Sequence, residues 1–248
     1  MRLTSLSMIE PLGPQIGVWP KRCVPDALAD LLFGDLPDRG RPDEPASPCS
    51  TWAVLDAARL PNLAEELEAS GLVHRCLFRG KAQEDWGHVA PWLVALRPDA
   101  RLTRRLFTAG APFGLWDAAA AMFLRSRRTM DDLWRHFRKY TRVQDDNGAW
   151  LYFRFWDAQS VQMLQKSAAS LPEARRFFAP CERVMVPVPD RDSCLLVEPL
   201  PLTQTPLAPP PPDDGLSATD ATLPSAPLLF DPPPLRLKPL DDPREAMA

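Results

Sequence analysis

Glycine is scarce in this chain: it supplies 11 of the 248 residues. The motifs GxxxxGK(S/T), GxGxxG and GxSxG are all absent. These motifs provide the backbone donors or the exposed nucleophile of P-loop, dinucleotide-binding and α/β-hydrolase proteins. The sequence therefore gives no support to any of these classes, and we expect no cofactor.

Metal-ligating patterns are missing as well. The three histidines, His74, His88 and His136, occur in no HxH or HExxH arrangement, and the five cysteines form no CxxC pair. Zinc sites normally show such spacings, so we expect no metal site. An odd number of cysteines in a chain of this size is typical of reduced thiols in a cytoplasm.

Long apolar runs are also lacking. The longest candidate, LWDAAAAMFL, includes Asp117 and is far shorter than the roughly 18 residues that suggest a membrane span. The first residues, MRLTSLSMIEPLGP, contain too short and too polar a stretch for a signal peptide. The sequence predicts a cytoplasmic protein with no membrane partner.

Proline, by contrast, is abundant, and its distribution divides the chain. Residues 1–48 contain eight prolines, residues 187–248 contain sixteen, and the 138 residues between them contain six. Basic residues outnumber acidic ones by 20 to 15 in residues 49–186, but residues 187–248 have 4 basic and 10 acidic side chains. We predict an N-terminal proline-rich arm with one short helix at PDALADLLF, a folded domain over 49–186, and an acidic, proline-rich, disordered tail.

Short strands and helices alternate through the proline-poor region. Apolar runs such as TWAVLD, APWLVAL and AAAAMFLRS predict strands, and ERVMVPV predicts a last, edge strand. The stretch TMDDLWRHFRKYT predicts an amphipathic helix that begins at Thr129, with Asp132 completing a capping-box-like start. Helical patterns between most of the strands predict an α/β fold with a mixed, largely parallel sheet flanked by helices.

Residues 142–157, RVQDDNGAWLYFRFWD, contain a turn between two predicted strands. The Asn-Gly pair supplies the positive-φ residues of a tight hairpin. A calcium loop needs spaced oxygen ligands and a glutamate at its twelfth position, where this chain has Trp156. We therefore interpret the acids as turn residues and predict a hairpin.

The strand after this turn alternates between two sets of side chains. The apolar set is Leu151, Phe153 and Phe155, and the opposite set is Tyr152, Arg154 and Trp156. We expect the apolar set to lie in the core, and the opposite set resembles the aromatic and arginine composition of protein interfaces. The alternative is that Arg154 forms an internal ion pair with Asp56 or Asp157.

Strand-end carboxylates leave an enzymatic hypothesis open. Asp56 and Asp157 follow predicted strands, where α/β proteins often place functional groups, but aspartate at these positions also caps helices. His74 and Cys76 lie two residues apart on one strand face. A hydrolase or transferase would require Asp56 and Asp157 to converge in one pocket, together with His74 or Cys76 if either takes part. Packing and capping are the simpler interpretations of these residues.

Several stretches together are similar to a known family. The stretches WAVLDAAR, LEASGLVHRCLFRG, APWLVAL and FLRSRRTMDDLWRHFRKYTRVQDDNGAWLYFRFWD resemble, in this order, the type VI secretion adaptors called Tap or TEC effector chaperones. These proteins carry the domain of unknown function numbered 4123. The resemblance covers about residues 51–186, and this chain differs in RSRRT, where family members often have proline after the serine.

The resemblance implies a non-enzymatic role. Such proteins bind a toxic effector in the producing cell and help to load it onto the VgrG spike, so we expect an effector and a VgrG protein as partners. The positions that match recurrent family positions are Asp56, Arg59, Arg79, Gly80, Arg125, Ser126, Arg154 and Asp157. The candidate partner-binding residues are Arg79, Arg125, Arg135, Arg138, Tyr152, Arg154, Trp156 and Asp157.

A nucleic-acid-binding module is a further alternative. The helix predicted over residues 129–141 is basic, and Arg135, Arg138, Lys139 and Arg142 could contact phosphates. The excess of five basic residues over 49–186 is small for such a role, which usually needs a concentrated basic stripe. We therefore expect a protein partner and no nucleic acid.

Overall fold

The computed structural model describes residues 1–36, 48–112, 114–144, 148–188 and 192–198. Its strands are β1 (Arg2–Ser7), β2 (Ser50–Asp56), β3 (His74–Cys76), β4 (Pro91–Leu96), β5 (Ala121–Ser126), β6 (Arg142–Gln144), β7 (Trp150–Tyr152), β8 (Arg183–Pro187) and β9 (Ser193–Glu198). Its α-helices are α1 (Asp26–Phe33), α2 (Leu63–Ser70), α3 (Lys81–Trp86), α4 (Arg101–Leu106), α5 (Met130–Phe137), α6 (Ala158–Ser167) and α7 (Pro172–Phe178).

Seven of these strands form one antiparallel sheet in the order β1-β9-β8-β5-β2-β4-β3. Every pairing between these strands is antiparallel, so the predicted largely parallel sheet is wrong. The chain does return from β2 to β3 in the same direction through α2, as in a parallel crossover. However, β4 lies between β2 and β3 and runs in the opposite direction to both.

The centre of the sheet is covered on both faces. All six residues of β5 are buried, as are six of the seven residues of β2. On one face, Val54 and Leu124 pack with the α5, α6 and α7 side chains. On the other face, Leu55 and Phe123 pack with α1, α2 and α4. Continuous burial explains why these strands are unbroken apolar runs instead of alternating patterns.

The sheet extends beyond the predicted folded domain of residues 49–186. Strand β9 lies between β1 and β8, and β1 is the edge strand. The predicted short helix of the N-terminal arm is α1, which buries Leu28 and Leu32 against the sheet. The predicted boundaries at 48 and 187 therefore cut through the fold, and β8 is not an edge strand. Residues 37–47 and 199–248, which include most of the predicted tail, lie outside the described residues.

Two helix starts have the side-chain caps that the sequence predicts. Thr129 accepts a hydrogen bond from the backbone N–H of Asp132 at the start of α5. Asp157 accepts one from the backbone N–H of Ser160, at 2.8 Å, at the start of α6. These caps satisfy N–H groups that have no partner within the helix. Strands β6 and β7 pair as the predicted hairpin, although its turn residues 145–147 lie outside the described residues.

Candidate partner-binding surface

A tryptophan from α5 covers the outer edge of β3. The Leu77 N–H and the Val73 carbonyl oxygen bond to β4, so the Cys76 carbonyl points to the opposite, open edge. The indole Nε1 of Trp134 donates a 2.7 Å hydrogen bond to this carbonyl. The indole thus satisfies a backbone acceptor that would otherwise be unpaired at the sheet edge.

Two guanidinium groups lie against the Trp134 ring. The Cζ atom of Arg75 is 3.7 Å from the ring centroid and that of Arg138 is 4.6 Å from it, both within the range of cation–π attraction. Arg75 also forms an ion pair with Asp131 at 2.7 Å. The pKa of Arg138 is lowered, mainly by burial of its side chain and further by the positive charges of Arg79 and Arg75. Three cationic side chains therefore occupy one small region.

The hairpin adds an aromatic group to this region. Tyr152 is 49% exposed. Its neighbour Leu151 points to the opposite side of β7 and is 44% exposed, so the expectation that Leu151 lies in the core is wrong. The Tyr152 ring meets the Phe78 ring edge-on, with 5.8 Å between centroids, and Phe78 immediately precedes Arg79 in the chain. We define the arginine–aromatic surface as Arg75, Phe78, Arg79, Trp134, Arg138 and Tyr152.

A buried ion pair lies beside this surface. The Asp56 side chain is 1% exposed, and its Oδ2 accepts a hydrogen bond from Arg154, which is 34% exposed. The other carboxylate oxygen accepts the Ala58 N–H at 3.0 Å. Burial raises the pKa of Tyr152, and the nearby negative charge of Asp56 raises it further. The internal ion pair that was the alternative interpretation of Arg154 is therefore confirmed.

Other predicted partner-binding residues have different environments. Trp156 is 1% exposed, so the expectation that it lies on an outward strand face is wrong. Strand β7 ends at Tyr152, and the alternation of side chains does not continue to residue 156. Arg125 is 3% exposed and donates to the carbonyls of Gly34 and Cys49, at 2.9 and 3.2 Å. Its contacts join the end of α1 to the start of β2.

Arg135 remains an exposed residue of α5. Its guanidinium pairs with Asp132 in the same helix, with 3.0 Å between Nη2 and Oδ1. The structure therefore groups Arg79, Arg138 and Tyr152 from the predicted set in one surface. It adds Arg75, Phe78 and Trp134, which the sequence did not indicate as binding residues.

A shallow groove of about 750 Å³ contains Asp157. Leu3 and Leu195 contribute apolar area from β1 and β9, and Gln159 and Gln162 contribute amide groups from α6. Arg59 also lines this groove. Asp157 therefore borders a surface other than the arginine–aromatic surface, and its carboxylate already caps α6.

His74 and Cys76 have structural contacts in place of the proposed catalytic arrangement. The His74 Nδ1 atom lies 2.7 Å from the Leu72 carbonyl oxygen, and Cys76 is 2% exposed. Burial raises the pKa of the Cys76 thiol to about 11, which opposes formation of a nucleophilic thiolate. Within the described ranges, no three His, Cys, Asp or Glu side chains form a group that could hold a metal ion.

The cysteines are expected to divide into two reactivity classes. Cys76 and Cys194 are buried, with pKa values raised by burial to about 11 and about 12, and burial also raises the pKa of buried Cys181. Cys23 and Cys49 are partly exposed. At pH 8 only roughly one Cys76 thiol in a thousand is ionised, and the thiolate is the species that reacts.

Iodoacetamide treatment of the native protein should therefore modify Cys23 and Cys49 much faster than the three buried cysteines. Mass spectrometry of tryptic peptides would measure this difference, and the same reaction in urea should modify all five. Equal native rates for Cys76 and Cys49 would contradict the packing described here.

Comparison with known proteins gives one family match. Residues 51–176, about half of the chain, match the family model described as domain of unknown function (DUF4123). This chain belongs to that family, which is associated with type VI secretion effector adaptors. The matched range includes all six residues of the arginine–aromatic surface. No curated protein and no solved structure matches the chain.

A final observation concerns membranes. Across the parts of the chain that the structure describes, none of the helices combines the length and the apolar character that a bilayer crossing would require.

Proposed function

We propose that this protein is a type VI secretion adaptor that binds a cognate effector and promotes its loading onto a VgrG spike. The observation that carries the proposal is membership of the DUF4123 family over residues 51–176. In this proposal the protein acts in the cytoplasm of the producing bacterium and catalyses no reaction.

The arginine–aromatic surface supports a binding role. Tyrosine and arginine are enriched among the residues that contribute most to protein–protein affinity. Tyr152 is about half exposed, and Arg79, three residues after the end of β3, is exposed. Both side chains are therefore accessible to a partner without any rearrangement of the core.

The carboxylates of the enzymatic alternative have other roles in this structure. Asp56 is buried in contact with Arg154, and Asp157 caps α6. A carboxylate that accepts structural hydrogen bonds from its neighbours is poorly placed to exchange protons with a substrate. These contacts favour the adaptor role over a hydrolase or transferase.

Co-purification tests the adaptor proposal. The tagged protein would be co-expressed with a candidate toxin and a VgrG-type spike from the same genome, and we expect all three to elute together in size-exclusion chromatography. If neither protein elutes with the adaptor, although each is soluble alone, the proposal is wrong. An Arg79→Glu variant should bind at least one partner at least tenfold more weakly. Arg175→Glu makes the same charge change at an exposed position of α7 and should not weaken binding.

A further inference from the structure

The arginine–aromatic surface has more positive than negative charge. Arg75, Arg79 and Arg138 contribute three guanidinium groups to it. In the described part of the chain, the ion pair of Arg75 with Asp131 is the one carboxylate contact made by these three groups. The indole of Trp134 partly offsets the charges of Arg75 and Arg138 through its ring face. The surface would therefore be stabilised by an added anion.

Guanidinium chemistry indicates which anion suits this surface. An arginine side chain presents several N–H donors in a planar fork that matches a carboxylate, often through two parallel hydrogen bonds. Arg79 is exposed and Arg138 is half-buried, so an incoming carboxylate could reach both from solvent. Partial burial of Arg138 lowers the local dielectric and strengthens this attraction.

The apolar neighbours indicate a peptide as the carrier of the carboxylate. Tyr152 exposes nearly half of its surface, and its ring contacts Phe78, the residue that precedes Arg79. An acidic segment with a neighbouring apolar side chain would complement both halves of the surface. A nucleic acid would need a longer basic stripe, and Arg135 on the same helix is already paired with Asp132.

We propose that the arginine–aromatic surface binds an acidic segment of a partner protein. One or more aspartate or glutamate carboxylates accept hydrogen bonds from Arg79 and Arg138, and an adjacent apolar side chain packs on Tyr152. The identity of that partner as an effector or a spike rests on the proposed function; the recognition of an acidic segment does not.

Fluorescence anisotropy with a defined peptide tests this inference on the full chain. The probe is a fluorescein-labelled peptide of about twelve residues in which glutamate and leucine alternate with serine. Its matched control has glutamine at every glutamate position. We expect the acidic probe to bind at least tenfold more tightly than the amide control at low ionic strength.

Variants assign the binding to this surface. Arg79→Glu should weaken binding of the acidic probe at least tenfold, and Arg138→Gln at least fivefold. Arg175→Glu, at an exposed position of α7 that is not part of the arginine–aromatic surface, should change it by less than about twofold. Circular dichroism would establish that each variant is folded; Arg79→Glu alters an exposed side chain and keeps the test valid if Arg138→Gln is unstable.

Three results would overturn the inference. They are equal binding of the acidic and amide peptides, an equal loss in Arg79→Glu and Arg175→Glu, and tighter binding of a single-stranded oligonucleotide through the same arginines. Because the probe contains no secretion protein, failure of the co-purification experiment would leave this result unaffected. Failure of the probe would likewise leave the co-purification result unaffected.

Discussion

A fragment of residues 49–186 is expected to show no cooperative thermal unfolding, whereas residues 1–198 should unfold cooperatively. The shorter fragment lacks β1, α1 and β9, so β8 loses its partner on one side. One face of the sheet also loses six buried side chains. They are Ile9, Leu12, Leu28, Leu32, Cys194 and Leu196.

The apolar burial lost from the shorter fragment is large enough to abolish cooperative unfolding. Burial of one aliphatic side chain contributes about 2 kcal/mol, so loss of the five aliphatic side chains in this set removes about 10 kcal/mol. This is comparable to the whole free energy of unfolding of a typical domain, about 5–15 kcal/mol. Thermal melts followed by far-ultraviolet circular dichroism would compare the two fragments. A cooperative transition of 49–186 within about 5 °C of that of 1–198 would contradict this prediction.

Removal of Arg154 is expected to destabilise the protein by about 2–4 kcal/mol. In an Arg154→Met variant the Asp56 carboxylate would stay buried without its counter-charge, and loss of one partner of a buried ion pair typically costs about 3–5 kcal/mol. The lower figure applies because the Arg154 side chain is 34% exposed, so water can partly replace it. Urea titration of the free energy of unfolding would measure the effect.

The double variant Asp56→Asn with Arg154→Met distinguishes charge from packing. It removes both charges and leaves an amide oxygen for the Ala58 N–H, so its stability should exceed that of Arg154→Met alone. Arg135→Met is a matched control, because its exposed ion pair should contribute less than about 1 kcal/mol. A loss in Arg154→Met no greater than that in Arg135→Met would show that the ion pair is unimportant.

Local features of the fold could be predicted from the sequence. The cap at Thr129, the cap at Asp157, the helix at PDALADLLF and the hairpin of β6 and β7 all depend on residues close together in the chain. Their hydrogen bonds form between near neighbours, so a short window of sequence contains the necessary information. Each of these four elements is present in the structure.

Strand order and direction could not be predicted in the same way. Alternating helices and strands and continuous apolar strands are typical of parallel sheets, and both features are present here. The decisive pairing is that of β4 with β2 and β3, which involves residues 16 to 45 positions apart. Strand β1 was not predicted because RLTSLS has few apolar residues. Its partner β9 lies more than 180 positions further along the chain.

The binding surface was predicted in part. Arg79 was selected from the family resemblance, Arg138 from the basic helix and Tyr152 from its strand face, but Trp134 and Arg75 were not selected. The indole does lie mostly buried, yet its ring face receives two guanidinium groups from separate elements. Side chains that meet from separate elements leave no recognisable spacing pattern in the sequence, so this contact could not be predicted. Trp156 was misplaced because β7 was expected to run four residues further than it does.

The two edge strands of the sheet, β1 and β3, are separated by the width of the sheet. Arg2 on β1 pairs with Glu198 on β9, so both ends of the described chain lie near the β1 edge. The arginine–aromatic surface lies at the opposite, β3 edge. Six strand spacings of about 4.8 Å separate these edges by about 29 Å. Glu198 itself lies on β9, five strand spacings from β3. A protein bound at Trp134 is therefore held about 24 Å from Glu198. The sheet therefore separates the C-terminal end of β9 from the arginine–aromatic surface on one small molecule.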